Sequence, residues 1–148
     1  FGRKISVEYF LIDEKLGKRL LDPPDKTLFK YDAKNRLIET ATLKRDGSPA
    51  EGWLFGVSRY ANKYDEKGNL IERNAYKLDG SSFNVWTRIF DSSGRLIEVT
   101  STRFGKVVYS AHDAAGNWLK SVTYKQAEKD GKSVEEPTEA EYRSIKYY

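Results

Sequence analysis

One nine-residue pattern is written four times in this chain, and it constrains the fold more than any other feature. The copies are Tyr31-Asp32-Ala33-Lys34-Asn35-Arg36-Leu37-Ile38-Glu39, Tyr64-Asp65-Glu66-Lys67-Gly68-Asn69-Leu70-Ile71-Glu72, Phe90-Asp91-Ser92-Ser93-Gly94-Arg95-Leu96-Ile97-Glu98 and His112-Asp113-Ala114-Ala115-Gly116-Asn117-Trp118-Leu119-Lys120. Asp32, Asp65, Asp91 and Asp113 lie 33, 26 and 22 residues apart, so the motif recurs without a fixed period. An Asp at the start of a type I turn accepts from backbone N–H groups further along the turn. Gly68, Gly94 and Gly116 supply the left-handed residue that a three-residue hairpin with a G1 bulge requires. Asn35 takes that position in the first copy, and Asn tolerates this conformation better than other side chains. The aromatic before the Asp and the Leu-Ile after the turn then face each other across two strands, so each copy reads as a β-hairpin.

A second class of turn separates the copies: Asp46-Gly47-Ser48-Pro49, Asp79-Gly80-Ser81-Ser82, Phe104-Gly105-Lys106 and the longer run Ala127 to Ser133. Together the two classes predict strands over 3–12, 27–32, 36–44, 54–64, 69–78, 83–91, 95–104, 107–113, 117–126 and 141–148. Sequential hairpins without crossover helices make an all-β antiparallel meander of about ten strands, an open twisted or curled sheet. The 148 residues form a single hairpin-repeat domain, 1–148, with repeat cores near 29–44, 62–78, 88–104 and 110–126. Residues 15–22 read as a turn or distorted hairpin leading into Pro23-Pro24, and Glu135 to Glu141, interrupted by Pro137, reads as a loop.

Neither face of these strands is cleanly apolar. Leu70, Glu72, Asn74, Tyr76 and Leu78 alternate with Ile71, Arg73, Ala75 and Lys77, and both sets are mixed. Apolar residues gather instead beside the Asp turns, as a band that must be covered by curling, by a second layer or by another molecule. Composition narrows the classes further. Hydrophobic residues are 39% and charged residues 32%, with a mean hydropathy of −0.71, and no run approaches the length of a spanning helix. There is no Cys, which removes disulfides, thiolate zinc sites and thiol catalysis. The net charge of +4 is spread over interleaved Lys, Arg, Asp and Glu rather than gathered in the stripe that nucleic acid selects. The chain has no Met even at position 1, so it either lost a leader or is a piece of something longer; the expectation is the first, an exported protein that is extracellular, periplasmic or at the cell surface.

The quoted copies resemble the YD repeats of the Rhs and teneurin families, whose hallmark matches Tyr64 to Ile71 and whose likeness here extends over about residues 29–125. The other copies depart from it at Asn35, Phe90, His112 and Trp118. In that family long arrays spiral into a hollow β-shell around a toxin or contribute to a cell-surface adhesion module. Four copies are too few for a shell. The resemblance implies an extracellular or envelope hairpin module with a scaffold or binding role.

No catalytic signature accompanies the repeat. Calcium would need six to eight oxygens at alternating positions, and the second copy puts Lys67 where a ligand should be, so the aspartates read as turn caps and no cofactor or metal is expected. His112, the only His, stands in an aromatic repeat position without a second ligand or a triad partner. Basic-aromatic pairs such as Lys30-Tyr31, Arg59-Tyr60 and Lys63-Tyr64 could align a plane of rings; this admits carbohydrate as a partner and makes nucleic acid a poor one. The reading is a non-enzymatic structural or binding module, associating with itself or with another envelope or extracellular protein. Tyr142, Ile145, Tyr147 and Tyr148 mark an open edge strand suited to self-assembly into a filament or multimer. The alternatives are a closed up-and-down barrel around a small apolar ligand and an accessory subunit of a surface or membrane complex.

Overall fold

The computed structural model describes residues 6–8, 26–52 and 55–147. Among the described residues there are ten strands: β1 Ser6–Glu8, β2 Lys26–Tyr31, β3 Leu37–Leu43, β4 Val57–Tyr64, β5 Leu70–Lys77, β6 Ser82–Phe90, β7 Leu96–Ser101, β8 Gly105–His112, β9 Trp118–Lys129 and β10 Lys132–Tyr142. No helix occurs among the described residues. The hydrogen-bonded order is β1 to β10 in sequence, the all-β antiparallel meander that the two turn classes predict. That order is linear, with β1 and β10 at its two ends, which corrects the alternative of a closed barrel. A barrel encloses one continuous apolar face, and the strands here offer none. Of the first expected strand only Ser6–Glu8 is described; the turn at 15–22, Pro23-Pro24 and Tyr148 lie outside the described residues.

Cα packing divides the chain into two compact units, residues 1–64 with 73–83 and residues 65–72 with 84–148. In the first, β2, β3 and β4 pair in register, with Leu28 opposite Ala41 and Ala41 opposite Arg59. A bulge between Lys30 and Tyr31 brings Tyr31 opposite Leu37 beside the first Asp turn. Val57, Ala75 and Ala50, exposed by 3%, 0% and 7%, are the buried apolar residues among those described, and all belong to this unit. Gly52 lies against one of them: a Cβ there would stand 2.3 Å from the Val57 carbonyl oxygen.

In the second unit the register runs Thr87, Thr100, Lys106, Tyr124 and Pro137 across five strands. The buried residues here are polar. Asn84 is fully enclosed, and its Oδ1 accepts from Ser101 Oγ at 2.9 Å, Thr102 Oγ1 at 2.8 Å and the Arg103 N–H at 3.1 Å. Ser101 Oγ in turn accepts from the Arg103 and Phe104 N–H groups, so the tight turn into β8 is held by side chains.

The last hairpin corrects the sequence reading. The loop expected over Glu135 to Glu141 is strand, and the strand expected over 141–148 ends at Tyr142. Asp130 and Gly131, both at positive φ (51° and 70°), close β9 and β10 with a two-residue turn, so the ladder begins at once at Lys129 opposite Lys132. Pro137 fits because β10 is the terminal strand of the order, where a missing N–H breaks no ladder, and a bulge between Pro137 and Glu139 absorbs its geometry.

Candidate functional site

The four Asp turns are built alike, and each is a carboxylate bracket. In every copy the Asp N–H donates to the carbonyl four residues on, at 2.9–3.0 Å, and the left-handed residue donates back to the Asp carbonyl at 2.9–3.1 Å. That residue is Asn35, Gly68, Gly94 or Gly116, with φ of 66°, 92°, 81° and 83°. The carboxylate closes the bracket. Oδ1 of Asp32, Asp91 and Asp113 accepts from the N–H groups two and four residues on, at 2.9–3.0 Å. Asp65 Oδ1 accepts from the Asn69 N–H at 2.8 Å.

Sequence reasoning missed the partner of the second oxygen. The residue after the left-handed position, always Arg or Asn, sends its side chain back to Oδ2: Arg36 Nε at 2.7 Å, Asn69 Nδ2 at 2.8 Å, Arg95 Nε at 2.6 Å and Asn117 Nδ2 at 3.4 Å. The recurring Asn/Arg of the motif carries that signal. All four carboxyls are held below the usual aspartate range. The main cause is the N–H of Arg36 for Asp32 and of Arg95 for Asp91, the Asn69 side chain for Asp65, and the Tyr147 hydroxyl for Asp113. With N–H and O–H donors on both oxygens, these turns are poor cation sites, and no group of three or more potential metal ligands occurs among the described residues.

The aromatic position has a second task beyond packing. Just beyond the Glu39–Ala61 pair of the β3–β4 ladder, the Leu37 carbonyl accepts from the Tyr64 hydroxyl at 2.8 Å and from Asn62 Nδ2 at 2.8 Å. The corresponding Leu96 carbonyl pairs with His112 Nε2 at 3.1 Å, and the Trp118 carbonyl accepts from Arg143 Nε at 2.5 Å. A donor on the next strand, or just past its end, thus caps the Leu-position carbonyl in three of the four copies. His112 replaces Tyr with another ring that can carry a donor at its tip.

The residues expected to form an assembly edge are placed differently from one another. Tyr142 ends β10, is 70% exposed, and has Lys120 Nζ 5.3 Å from its ring centre. Ile145 and Tyr147 lie beyond the strand. The Arg143 N–H continues the ladder to the Leu119 carbonyl and its guanidinium lies 3.7 Å from the Trp118 ring centre. Tyr147 donates to Asp113 Oδ2 at 2.5 Å and accepts from Asn117 Nδ2 at 2.7 Å, which ties this segment to the fourth turn.

Three further tyrosine rings carry a guanidinium. Arg59 lies 4.1 Å from the Tyr76 ring centre, Arg73 4.3 Å from that of Tyr60 and Arg36 4.9 Å from that of Tyr64. Arg59 and Lys30 also share Glu39, at 3.2 and 2.6 Å. A groove of about 690 Å³ in the second unit runs past Thr87, Thr100, Phe104, Lys106 and Tyr124 to Glu135. Lys106 is paired with Glu135 and lies over Tyr124, and the hydroxyls of Thr87 and Thr100 bond each other. No helix among the described residues is long and apolar enough to cross a membrane. No family model matches the chain, and no curated protein matches it.

Proposed function

We propose that this chain is a non-enzymatic hairpin-repeat module of an exported protein, acting outside the cell or in its envelope by binding another protein. One observation carries the reading. A sheet with one covered face shows alternating buried and exposed residues, whereas β3 and β7 are half-buried at every position. Among the described residues only Ala50, Val57 and Ala75 are buried and apolar. Leu37, Ile38, Leu96 and Ile97 therefore keep apolar area that a partner surface would remove from water, at about 25 cal/mol per Å². The likeness of the four turns to YD repeats supports a scaffold or adhesion setting, and the absence of Cys suits an oxidising compartment.

Isolation of the native protein with whatever adheres to it, followed by hydrogen exchange and surface labelling of the assembly, tests this. Reduced labelling around Leu37, Ile38, Leu96 and Ile97 in the assembly, relative to the chain alone, is expected. A native protein that purifies alone from its source, with those residues labelled as in the isolated chain, would overturn the reading.

A further inference from the structure

We propose that β10 and the segment 143–147 form a cap that closes this hairpin array against strand addition, so that association occurs through the sheet faces and not along this edge. A terminal strand exposes a row of backbone donors and acceptors that would template another strand unless something opposes it. In β10 three separate features do. Pro137 removes a donor in mid-strand, and the bulge at Pro137/Glu139 breaks the straight register an added strand would follow. β10 carries four glutamates; Glu135 and Glu136 pair with Lys106 and Lys129, while Glu139 and Glu141 stand exposed beyond the bulge. The inner strands lack this combination: β3, β4 and β5 contain no Pro, and each carries a single acidic residue or none.

The segment beyond β10 completes the cap. Within the array, the Leu-position carbonyl is where the next hairpin's donor docks, as Tyr64 does on Leu37 and His112 on Leu96. At the fourth copy Arg143 fills that place on the Trp118 carbonyl and Tyr147 occupies the Asp113 bracket. Arg143 stands where Asn62 does in the first copy: Tyr142 is opposite Lys120 as Ala61 is opposite Glu39, and the residue after each supplies the donor. The next position is therefore filled from the same chain. Polar terminal units of this kind keep other repeat arrays soluble and finite.

The test opens the edge and follows association by sedimentation velocity over a hundredfold range of concentration. The triple variant Pro137→Thr, Glu139→Thr, Glu141→Thr, checked for an unchanged circular dichroism spectrum, is expected to associate at least tenfold more tightly than the parent chain. An opened variant that keeps its spectrum and sediments like the parent at every concentration would sink the proposal. A second measurement does not depend on the variant folding. In the parent chain, amide exchange at Thr138 to Tyr142 is expected to be independent of concentration, and protection that grows with concentration would show this edge pairing in trans and overturn the cap. Partner binding through the faces survives either outcome, so failure here leaves the function proposed above separately testable.

Discussion

A single aspartate per hairpin does the work of a small network, and this has consequences that depend on pH. Asp32, Asp65, Asp91 and Asp113, together with Asp46 and Asp79 in the second class of turn, all have folded-state pKa values below the ordinary range, because N–H and O–H donors favour their charged form. A depressed folded-state pKa contributes stability that is complete above the unfolded value and is lost as pH falls through the folded one. The four bracket aspartates are half-buried at the surface and Asp46 and Asp79 are exposed, so solvent screens the individual contributions. We expect the urea midpoint to be flat from neutral pH down to the ordinary aspartate range and to fall below it, with Tyr147→Phe reducing the part of that fall due to Asp113. Calcium or a chelator should leave the thermal midpoint unchanged, since the bracket oxygens already accept from the protein; a calcium-dependent rise would contradict the turn-cap role. The capped carbonyl gives a separate prediction. Tyr64→Phe removes the hydroxyl that reaches the Leu37 carbonyl and should cost about 0.5–1.5 kcal/mol in chemical denaturation. Asn84→Ala removes a fully buried acceptor shared by Ser101 Oγ, Thr102 Oγ1 and the Arg103 N–H and should cost about 1–3 kcal/mol.

Turns set the elements, and two glycines separate the reasons for them. Gly94 has φ 81°, and a Cβ added there would meet nothing within 4 Å, so Gly94→Ala carries only the conformational cost, about 1–2 kcal/mol. Gly105 has φ 90°, and a Cβ there would lie 2.4 Å from the Tyr124 carbonyl oxygen. Gly105→Ala therefore adds a backbone clash to the same strain and should be the more damaging of the two, separating β8 from β9 at Lys106 and Tyr124. Thermal melts of the two variants side by side check the order, and equal losses would show that the close approach relaxes freely. β9 and β10 teach the opposite lesson about Pro. Pro137 reads as a break when the sequence is scanned locally, yet at the terminal position of the order the chain tolerates it.

At the scale of the molecule, the buried residues described in the second unit, Asn84 and Ser121, are polar, while the first buries Ala50, Val57 and Ala75 together with Ser58. Hydrophobic burial within the described chain is correspondingly thin, and apolar side chains remain available to solvent: Phe55, Leu78, Ile89 and Phe104 are 59%, 46%, 49% and 51% exposed. Native protein at neutral pH should therefore bind an apolar dye such as anilinonaphthalene sulfonate, and partner binding should suppress that fluorescence. A native state that leaves the dye dark would argue that these surfaces are too small or too dispersed to recruit a partner.

The sequence by itself determined the strand count, the all-β antiparallel order and the position of the inner turns. Those depend on local chemistry: an Asp that caps, a Gly or Asn at positive φ, and β-rich runs between them. Even the bracket was legible in principle, because the Arg or Asn four residues after each Asp recurs with the motif. Tertiary structure alone decided which carbonyls the ring donors reach, since Tyr64 and Leu37 are 27 residues apart and His112 and Leu96 are 16 apart. It also decided that Glu135 to Glu141 is strand and that Tyr147 ties back to Asp113 instead of lying along an edge. These depend on which strand lies beside which and at what register, and on whether a backbone group faces a neighbour or solvent, quantities that pairing creates and that no local pattern carries.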